Sequence, residues 1–150
     1  VGTLRWDPAT AQSRMDNIIS SYYNDENLDA VLVAADCLAL GVISSLNSLG
    51  YGSADKPFPV ITGQDSELTA IKYILEGKQS MTVFLDAKLL SKKMLALVSD
   101  LEAGKTITAD TTYNNGTKDV PTLLYDPVLI TKDNYQLLIE RGFYTEDDLK

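Results

Sequence analysis

The sequence predicts an α/β fold: a doubly wound parallel sheet with helices on both faces, which together form a three-layer α/β/α arrangement. Three observations predict it. An apolar stretch of strand length is followed by a stretch with helical periodicity three times in succession, an Asp or Ser stands where each of these helices begins, and Gly follows each of them. Parallel strands joined by right-handed helical crossovers are the arrangement that such alternation favours. With 150 residues, 45% of them hydrophobic, the chain is long enough for one compact core.

A helix precedes the first of these cycles and is predicted from Pro8 to about Tyr23. The carboxylate of Asp7 can cap its free N–H groups, and Pro8 fixes φ at the first helical position. Apolar residues then recur at helical spacing, at Ala11, Met15, Ile18 and Ile19. Residues 29–34 (DAVLVA) follow as a short apolar run, which is typical of a fully buried parallel strand.

The next elements repeat the same signals. Asp36 is expected to cap a helix whose apolar residues recur up to Leu49, and Gly50 ends it. The later elements, in chain order, are strand 58–62, a turn at 63–65, helix 66–76 closed by Gly77, strand 80–84, and helix 86–103 closed by Gly104. Beyond that point the alternation stops: residues 105–118 are polar, residues 120–130 indicate an interrupted strand, and a last helix is expected at 132–141.

The composition excludes several classes of function. With 21 acidic and 13 basic residues, the net charge of -8 repels nucleic-acid backbones. There is no His, and Cys37 is the single Cys, so neither a common zinc site nor a Ser/His/Asp or Cys/His triad can form. No cofactor motif is present, and no stretch approaches the roughly 18 consecutive apolar residues of a membrane span.

Ligands of such sheets gather where the strands end. Asp65 stands there, and its carboxylate can accept two charge-assisted hydrogen bonds from sugar hydroxyls, or it can cap the next helix, as Ser66 also can. Gln64 offers one acceptor and two donors to a polyol, or it bridges neighbouring loops.

Two further residues at this edge are candidates for a sugar site. Trp6, the single tryptophan, can stack on the apolar face of a pyranose, or it can be a buried structural residue. Asp36 is a candidate ligand, although the apolar helix behind it favours a capping role.

The sequence does not support an enzyme. No pair of carboxylates stands out as acid and base, because each Asp at a strand end also starts a helix. The Gly-rich phosphate loops GxGxxG and GxxxxGK are both missing from the sequence.

Several segments together resemble periplasmic sugar-binding proteins of the xylose-binding and multiple-sugar-binding type. The similarity covers nearly the whole chain, and GQD, TVF and TTYNNGTKDVP in that order make the most specific part of it. The matching segments are RWDPATAQSRMDNI (5–18), GYGSADKPFPVITGQDSELTAIKYI (50–74), QSMTVF (79–84), DTTYNNGTKDVP (110–121) and DPVLITKDN (126–134).

The resemblance implies a two-lobed periplasmic-binding-protein fold, with the sugar clamped between the lobes and this chain supplying the later part. Residues 1–85 would form the second, sugar-binding lobe. Residues 86–125 would form a crossover helix and a hinge segment that contribute to the first lobe. Residues 126–150 would return and form the C-terminal tail. The N-terminal lobe would lie outside this sequence.

The resemblance also assigns site residues. Trp6 matches the aromatic plate of the family, and Asp65 matches its hydroxyl-binding aspartate. Two positions depart from the pattern: Ala35 stands where Asn is common, and Leu85 stands where Lys or Gln is common. Because a buried hydroxyl without a partner costs about 1–3 kcal/mol, these changes suggest a less polar sugar or a shifted pose.

The implied function is capture of a monosaccharide, a xylose-like pentose or a hexose, and its delivery to an ABC transporter permease without catalysis. A chemoreceptor is a second implied partner. The implied location is the periplasm or the extracellular face of a bacterial membrane, with or without a lipid anchor. The main alternative is the sugar-effector domain of a bacterial transcription repressor, which has the same fold; the segment at 110–121 and the long C-terminal tail favour the transport protein.

Overall fold

A computed structural model of the chain describes residues 2–24 and 26–150 and divides them into two compact units. The first unit comprises the described residues up to Phe84 together with Val128–Lys150, and the second is Leu85–Pro127. These divisions fall close to the boundaries predicted after residues 85 and 125. Assignment of the middle segment to another lobe stays a prediction. Among the described residues, no helix is both long enough and apolar enough to cross a membrane.

Helices and strands alternate through most of the chain, as the sequence predicts. In chain order the elements are a 3₁₀ turn at Leu4–Trp6, α1 (Pro8–Tyr22), β1 (Ala30–Val31), α2 (Asp36–Ser48), β2 (Val60–Ile61), α3 (Leu68–Leu75), β3 (Thr82–Phe84), α4 (Ala87–Glu102), β4 (Thr111–Asn114), β5 (Asp119–Thr122), β6 (Val128–Ile130) and α5 (Gln136–Glu140).

The strands of the first unit run in the order β1, β2, β3, β6. β1 and β2 are parallel, with Ala30 opposite Val60, and a parallel bridge between Gln64 and Val83 connects the end of β2 to β3. β6 is antiparallel to β3. The α/β class is confirmed, and the sheet has an antiparallel edge strand, a common addition to parallel sheets that the sequence did not indicate.

The prediction of a fully buried strand at residues 29–34 is wrong. β1 is only two residues long, and Leu32 is 92% exposed. The reason is that, within the described chain, β1 pairs with β2 on one side only. An edge strand keeps one row of backbone groups unpaired, so regular pairing ends sooner than the apolar run does.

α1 and α2 pack closely, and this contact places the turn that carries Trp6. The predicted cap is confirmed: the amide of Thr10 donates to the Asp7 carboxylate at 2.7 Å. Gly41 in α2 faces the first turn of α1, where an added Cβ would overlap the carbonyl oxygen of Pro8. The helices and strand ends share one apolar cluster, which contains Ala11, Met15, Ile19, Val33, Leu38, Ile43, Leu46 and Ile61.

A second apolar cluster joins α3, β3, β6 and α5 to the C-terminal tail. Its buried members are Ile71, Ile74, Phe84, Ile130 and Leu138. α5 is shorter than the helix predicted at 132–141, because the side chain of Asn134 accepts from the amide of Thr131 at 2.7 Å and forms a turn before the helix. The tail packs on this cluster: Phe143 meets Phe84 edge to face, with ring centroids 4.9 Å apart.

The second unit consists of one long helix and a hairpin. The amide of Leu89 donates to the carboxylate of Asp86 at 2.9 Å, which confirms the predicted start of α4. β4 and β5 form an antiparallel pair that the sequence did not predict, with Tyr113 opposite Val120. No residue of α4 is buried in the described chain. Its exposed apolar residues include Leu89, Leu90, Met94, Leu95, Val98 and Leu101.

Candidate functional site

The carboxyl ends of β1 and β2 lie side by side and are fixed to each other. The hydroxyl of Thr62 donates to the carbonyl of Val33 at 2.8 Å and accepts from the Val33 amide at 2.7 Å. Further along, the amide of Asp36 donates to the carbonyl of Gln64 at 2.9 Å. The residues that follow the two strands therefore form one edge of the sheet.

A shallow depression of about 220 Å³ lies at this edge. Its lining residues are Trp6, Ala34, Ala35, Cys37, Gln64 and Asp65. The structure thus brings together Trp6, Gln64 and Asp65, which were predicted as sugar-binding residues, and places the altered position Ala35 beside them. Trp6 is 58% exposed, so its alternative role as a buried structural residue is wrong.

Two pairs of residues at the depression have left-handed backbone conformations. Among the described residues other than glycine, positive φ angles occur at Arg5 (58°), Trp6 (55°), Asp65 (96°) and Ser66 (53°). Such conformations cost of order 1 kcal/mol or more each and persist only where the surroundings hold them. Because Trp6 and Asp65 both lie in these pairs, the strain is concentrated at the two residues best suited to contact a sugar.

The carboxylate of Asp65 is available to a ligand. α3 begins after Glu67, and no side chain caps it, so the alternative role of Asp65 or Ser66 as a cap is wrong. Within the described chain, the Asp65 carboxylate accepts one hydrogen bond, from Gln64 Nε2 at 3.4 Å. The Ser66 hydroxyl is buried and has no hydrogen-bond partner among the residues that the structure describes.

Asp36 has a different role from the predicted one. It is 2% exposed and is the first residue of α2 rather than its cap. Its carboxylate accepts from the Glu67 amide at 2.9 Å, from Gln79 Nε2 at 2.9 Å and from the Thr82 hydroxyl at 2.8 Å. These three donors occupy the carboxylate, and Asp36 does not line the depression, so its role is structural.

Burial sets the protonation behaviour around the depression. It raises the pKa of the Asp36 carboxyl, although the three donors oppose the change. Burial, followed by the charges of Asp36 and Asp65, raises the pKa of Glu67. Burial also raises the pKa of the Cys37 thiol, which therefore keeps its proton at neutral pH and contributes a weakly polar wall.

Leu85 is the first residue of the second unit and is 43% exposed. Its influence on ligand choice stays a prediction.

In residues 2–24 and 26–150, no group of three or more Cys, Asp or Glu side chains is arranged to hold a metal ion.

Several residues that support the site were missed by sequence reasoning. Gln79 and Thr82 hold Asp36, and the hydroxyl of Tyr144 donates to the carbonyl of Ser66 at 2.8 Å. Gly63 makes room for the first of these contacts, between Gln79 and Asp36. Each is a contact between residues distant in sequence, so no local pattern could have indicated it.

Replacement of Gly63 by alanine is expected to lower the free energy of unfolding by about 2 kcal/mol, because overpacking typically costs 1–3 kcal/mol. The added Cβ would overlap Asp36 Oδ1 and Gln79 Nε2, which bond each other and cannot both move away cheaply. Urea unfolding measures the change. Gly2→Ala is the control, since an added Cβ there meets nothing within 4 Å. Equal stability of the two variants would contradict the prediction.

Comparison with known proteins identifies related sequences. A family model described as a periplasmic binding protein domain matches residues 1–106. The multiple sugar-binding periplasmic receptor ChvE of Rhizobium radiobacter is 49% identical over 153 residues, which cover 100% of this chain and 43% of that protein. The D-xylose-binding periplasmic protein of Escherichia coli K12 is 36% identical over 145 residues, or 96% of this chain and 42% of that protein.

Solved structures show the same relationship. An ABC transporter solute-binding protein from Clostridium phytofermentans, with bound β-D-glucose, is 42% identical and has a TM-score of 0.83. The alignment covers 97% of this chain and 45% of that protein. A carbohydrate transporter solute-binding protein from Chloroflexus aurantiacus, in complex with D-glucose, is 31% identical and has a TM-score of 0.81. That alignment covers 95% of this chain and 42% of the other protein. The chain spans less than half the length of each of these relatives.

Proposed function

Because the chain belongs to the periplasmic binding protein domain family, we propose that it forms one wall of a monosaccharide site in an extracytoplasmic solute-binding protein. The observation that carries the proposal is the grouping of Trp6 and Asp65 at one depression, each in a left-handed backbone conformation. The relatives of this chain include a multiple sugar-binding receptor and a D-xylose-binding protein, which supports a pentose or hexose as the ligand.

The chemistry of the depression suits a sugar. The exposed indole of Trp6 offers a flat apolar surface to the C–H face of a pyranose ring. The Asp65 carboxylate accepts hydrogen bonds from neighbouring hydroxyls, and the amide of Gln64 can both donate and accept. These groups bind and orient a polyol, and we propose that the protein performs no catalysis.

We propose that the remainder of the sugar site belongs to a second lobe, which lies outside this sequence. Residues 1–85 form the sugar-binding lobe, residues 86–125 contribute to the other lobe and the hinge, and residues 126–150 return as the tail. The exposed apolar residues of α4 support this assignment, because an apolar helix face of that length is normally covered. Closure of the two lobes over the sugar is then the signal that a permease reads.

The proposed partners follow from this function. The sugar is delivered to an ABC transporter permease, and a chemoreceptor is a second partner of the closed form. The protein acts in the periplasm or at the extracellular face of the membrane, with or without a lipid anchor. The relatives at 49% and 36% identity are periplasmic proteins, which supports transport over the effector domain of a repressor.

A thermal-shift screen of the complete protein that carries this sequence tests the proposal. The sugars are xylose, glucose, galactose, fucose and rhamnose at about 10 mM; the two deoxy sugars are included because Ala35 and Leu85 lack polar side chains. A ligand at a hundred times its Kd stabilises by about 2.7 kcal/mol, so we expect a clear rise in Tm with at least one sugar.

Sucrose at the same concentration is the control, because excluded solutes stabilise proteins without binding them. A specific rise with xylose or glucose indicates that the missing polar groups are replaced from the other lobe. A rise confined to fucose or rhamnose indicates a pocket adapted to a less polar sugar. Shifts no larger than that with sucrose for every sugar would contradict the proposed function.

A further inference from the structure

The loop at residues 63–67 carries Asp65, and its shape determines where that carboxylate points. Two consecutive residues, Asp65 and Ser66, have φ angles of 96° and 53°. A conformation of this kind is not intrinsically favoured by either residue, although Asp tolerates it better than most. The contacts that the loop makes must therefore hold it in place.

On the side of the sheet, β3 holds the loop. The amide of Asp65 donates to the carbonyl of Val83 at 2.9 Å, and the amide of Ser66 donates to the hydroxyl of Thr82 at 3.1 Å. The same Thr82 hydroxyl donates to the buried carboxylate of Asp36. Both amides of the strained pair are thus occupied.

The C-terminal tail holds the loop through a carbonyl. The hydroxyl of Tyr144 donates to the Ser66 carbonyl at 2.8 Å. The preceding residue, Phe143, packs edge to face on Phe84 at the end of β3, which anchors the tail. Burial raises the pKa of Tyr144, so the phenol keeps its proton and remains a donor at physiological pH.

We propose that Tyr144 is a positioning residue for the sugar site, which holds the Asp65–Ser66 pair in its left-handed conformation and so fixes the Asp65 carboxylate in a sugar-binding orientation. The inference rests on the proposed function, and it adds that the C-terminal tail controls the affinity of the site. Without the Tyr144 hydroxyl, the peptide after Ser66 can rotate, and part of the population loses the competent arrangement. Apparent affinity falls in proportion to the fraction that remains competent.

The test compares Tyr144→Phe with Tyr51→Phe in the complete protein. Each variant removes one hydroxyl and keeps the ring. Tyr51 is a matched control, because it is 4% exposed and its hydroxyl also has one backbone partner, the amide of Leu28 at 3.3 Å. That contact lies outside the 63–67 loop, so Tyr51→Phe measures the general effect of losing a buried tyrosine hydroxyl.

Two measurements are made on each variant. The first is amide hydrogen exchange at Asp65 and Ser66 without sugar, which we expect Tyr144→Phe to accelerate about tenfold while Tyr51→Phe leaves it unchanged. The second is the Kd for the sugar that gives the largest thermal shift, by calorimetry. We expect Tyr144→Phe to raise it by about 3- to 10-fold, as the loss of one hydrogen bond does, and Tyr51→Phe to leave it unchanged.

The outcomes separate this inference from the proposed function. Faster exchange at the two amides together with weaker sugar binding supports the inference. Unchanged exchange and unchanged Kd in Tyr144→Phe overturn it, while the sugar-binding function stands. Equal increases in Kd for both variants also overturn it, since the effect would then be one of general stability. A wild-type protein that binds no sugar overturns the proposed function and the role in affinity, whatever the exchange data show.

Discussion

Replacement of Asp65 by asparagine is expected to weaken sugar binding by about 100-fold in the complete protein. The carboxylate can accept two charge-assisted hydrogen bonds, whereas the amide offers a single acceptor and turns a donor toward a sugar hydroxyl. A hydrogen bond to a charged group is worth about 1.5–3 kcal/mol, and a loss of about 2.7 kcal/mol corresponds to a factor of 100 in Kd. Calorimetric titration with the best sugar of the thermal-shift screen measures the change.

The variant is designed so that the fold is preserved. Asn tolerates the left-handed conformation of Asp65 as well as Asp does. Removal of the charge also relieves repulsion of Asp36 and Glu67, whose pKa values the Asp65 carboxylate helps to raise. Asp55→Asn is the matched control, since Asp55 is exposed in the loop before β2 and outside the depression. Similar Kd values for the two variants would show that Asp65 is not a sugar ligand.

The helices were predictable because their signals are local. A capping carboxylate and an apolar period located α1 and α4 to within about one turn, and a closing Gly also marks the end of α4; Asp7 and Asp86 cap the two helices as expected. The strands expected at 29–34, 58–62 and 80–84 were predicted at the right places but too long. Apolar residues such as Leu32 indicate strand propensity, whereas the length of a strand depends on which neighbours it pairs with.

The hairpin of β4 and β5 shows a second limit of the sequence. Residues 105–118 are polar and contain Asn115 and Gly116, so they were interpreted as irregular. The same residues form the turn: Asn115 Oδ1 accepts from the amides of Thr117 and Lys118, and Gly116 has a φ of 87°. A polar strand on an exposed hairpin lacks the apolar alternation that would distinguish it from a loop.

The candidate site was predictable as a location but not in detail. The rule that ligands bind at the carboxyl ends of strands predicts correctly that Trp6, Gln64 and Asp65 lie together. It misassigned Asp36, because position along the chain does not show which way a side chain turns. Here the carboxylate points into the protein, where donors from residues 67, 79 and 82 surround it.

Replacement of Asp36 by alanine is expected to lower the free energy of unfolding by about 3–5 kcal/mol at pH 7. The change leaves the buried Gln79 amide group and Thr82 hydroxyl, together with the partly buried Glu67 amide, without this acceptor. Each unsatisfied buried donor costs about 1–3 kcal/mol, partly offset because a buried charge is also removed. Urea unfolding of the complete protein measures the loss. Asp55→Ala is the control and should change stability by less than about 0.5 kcal/mol.

Asp36→Asn separates the charge of Asp36 from its shape through the pH dependence of stability. Because burial raises the pKa of Asp36 in the folded state, the folded protein binds the proton more tightly than the unfolded chain does. The advantage of the wild type over Asp36→Asn is therefore fully present below the unfolded pKa of about 3.9, and it declines as the pH rises through the raised folded value. Asn cannot titrate, so the difference between the two proteins isolates this carboxyl. An advantage that grows with pH would mean that the three donors outweigh burial and that the carboxyl is held ionised.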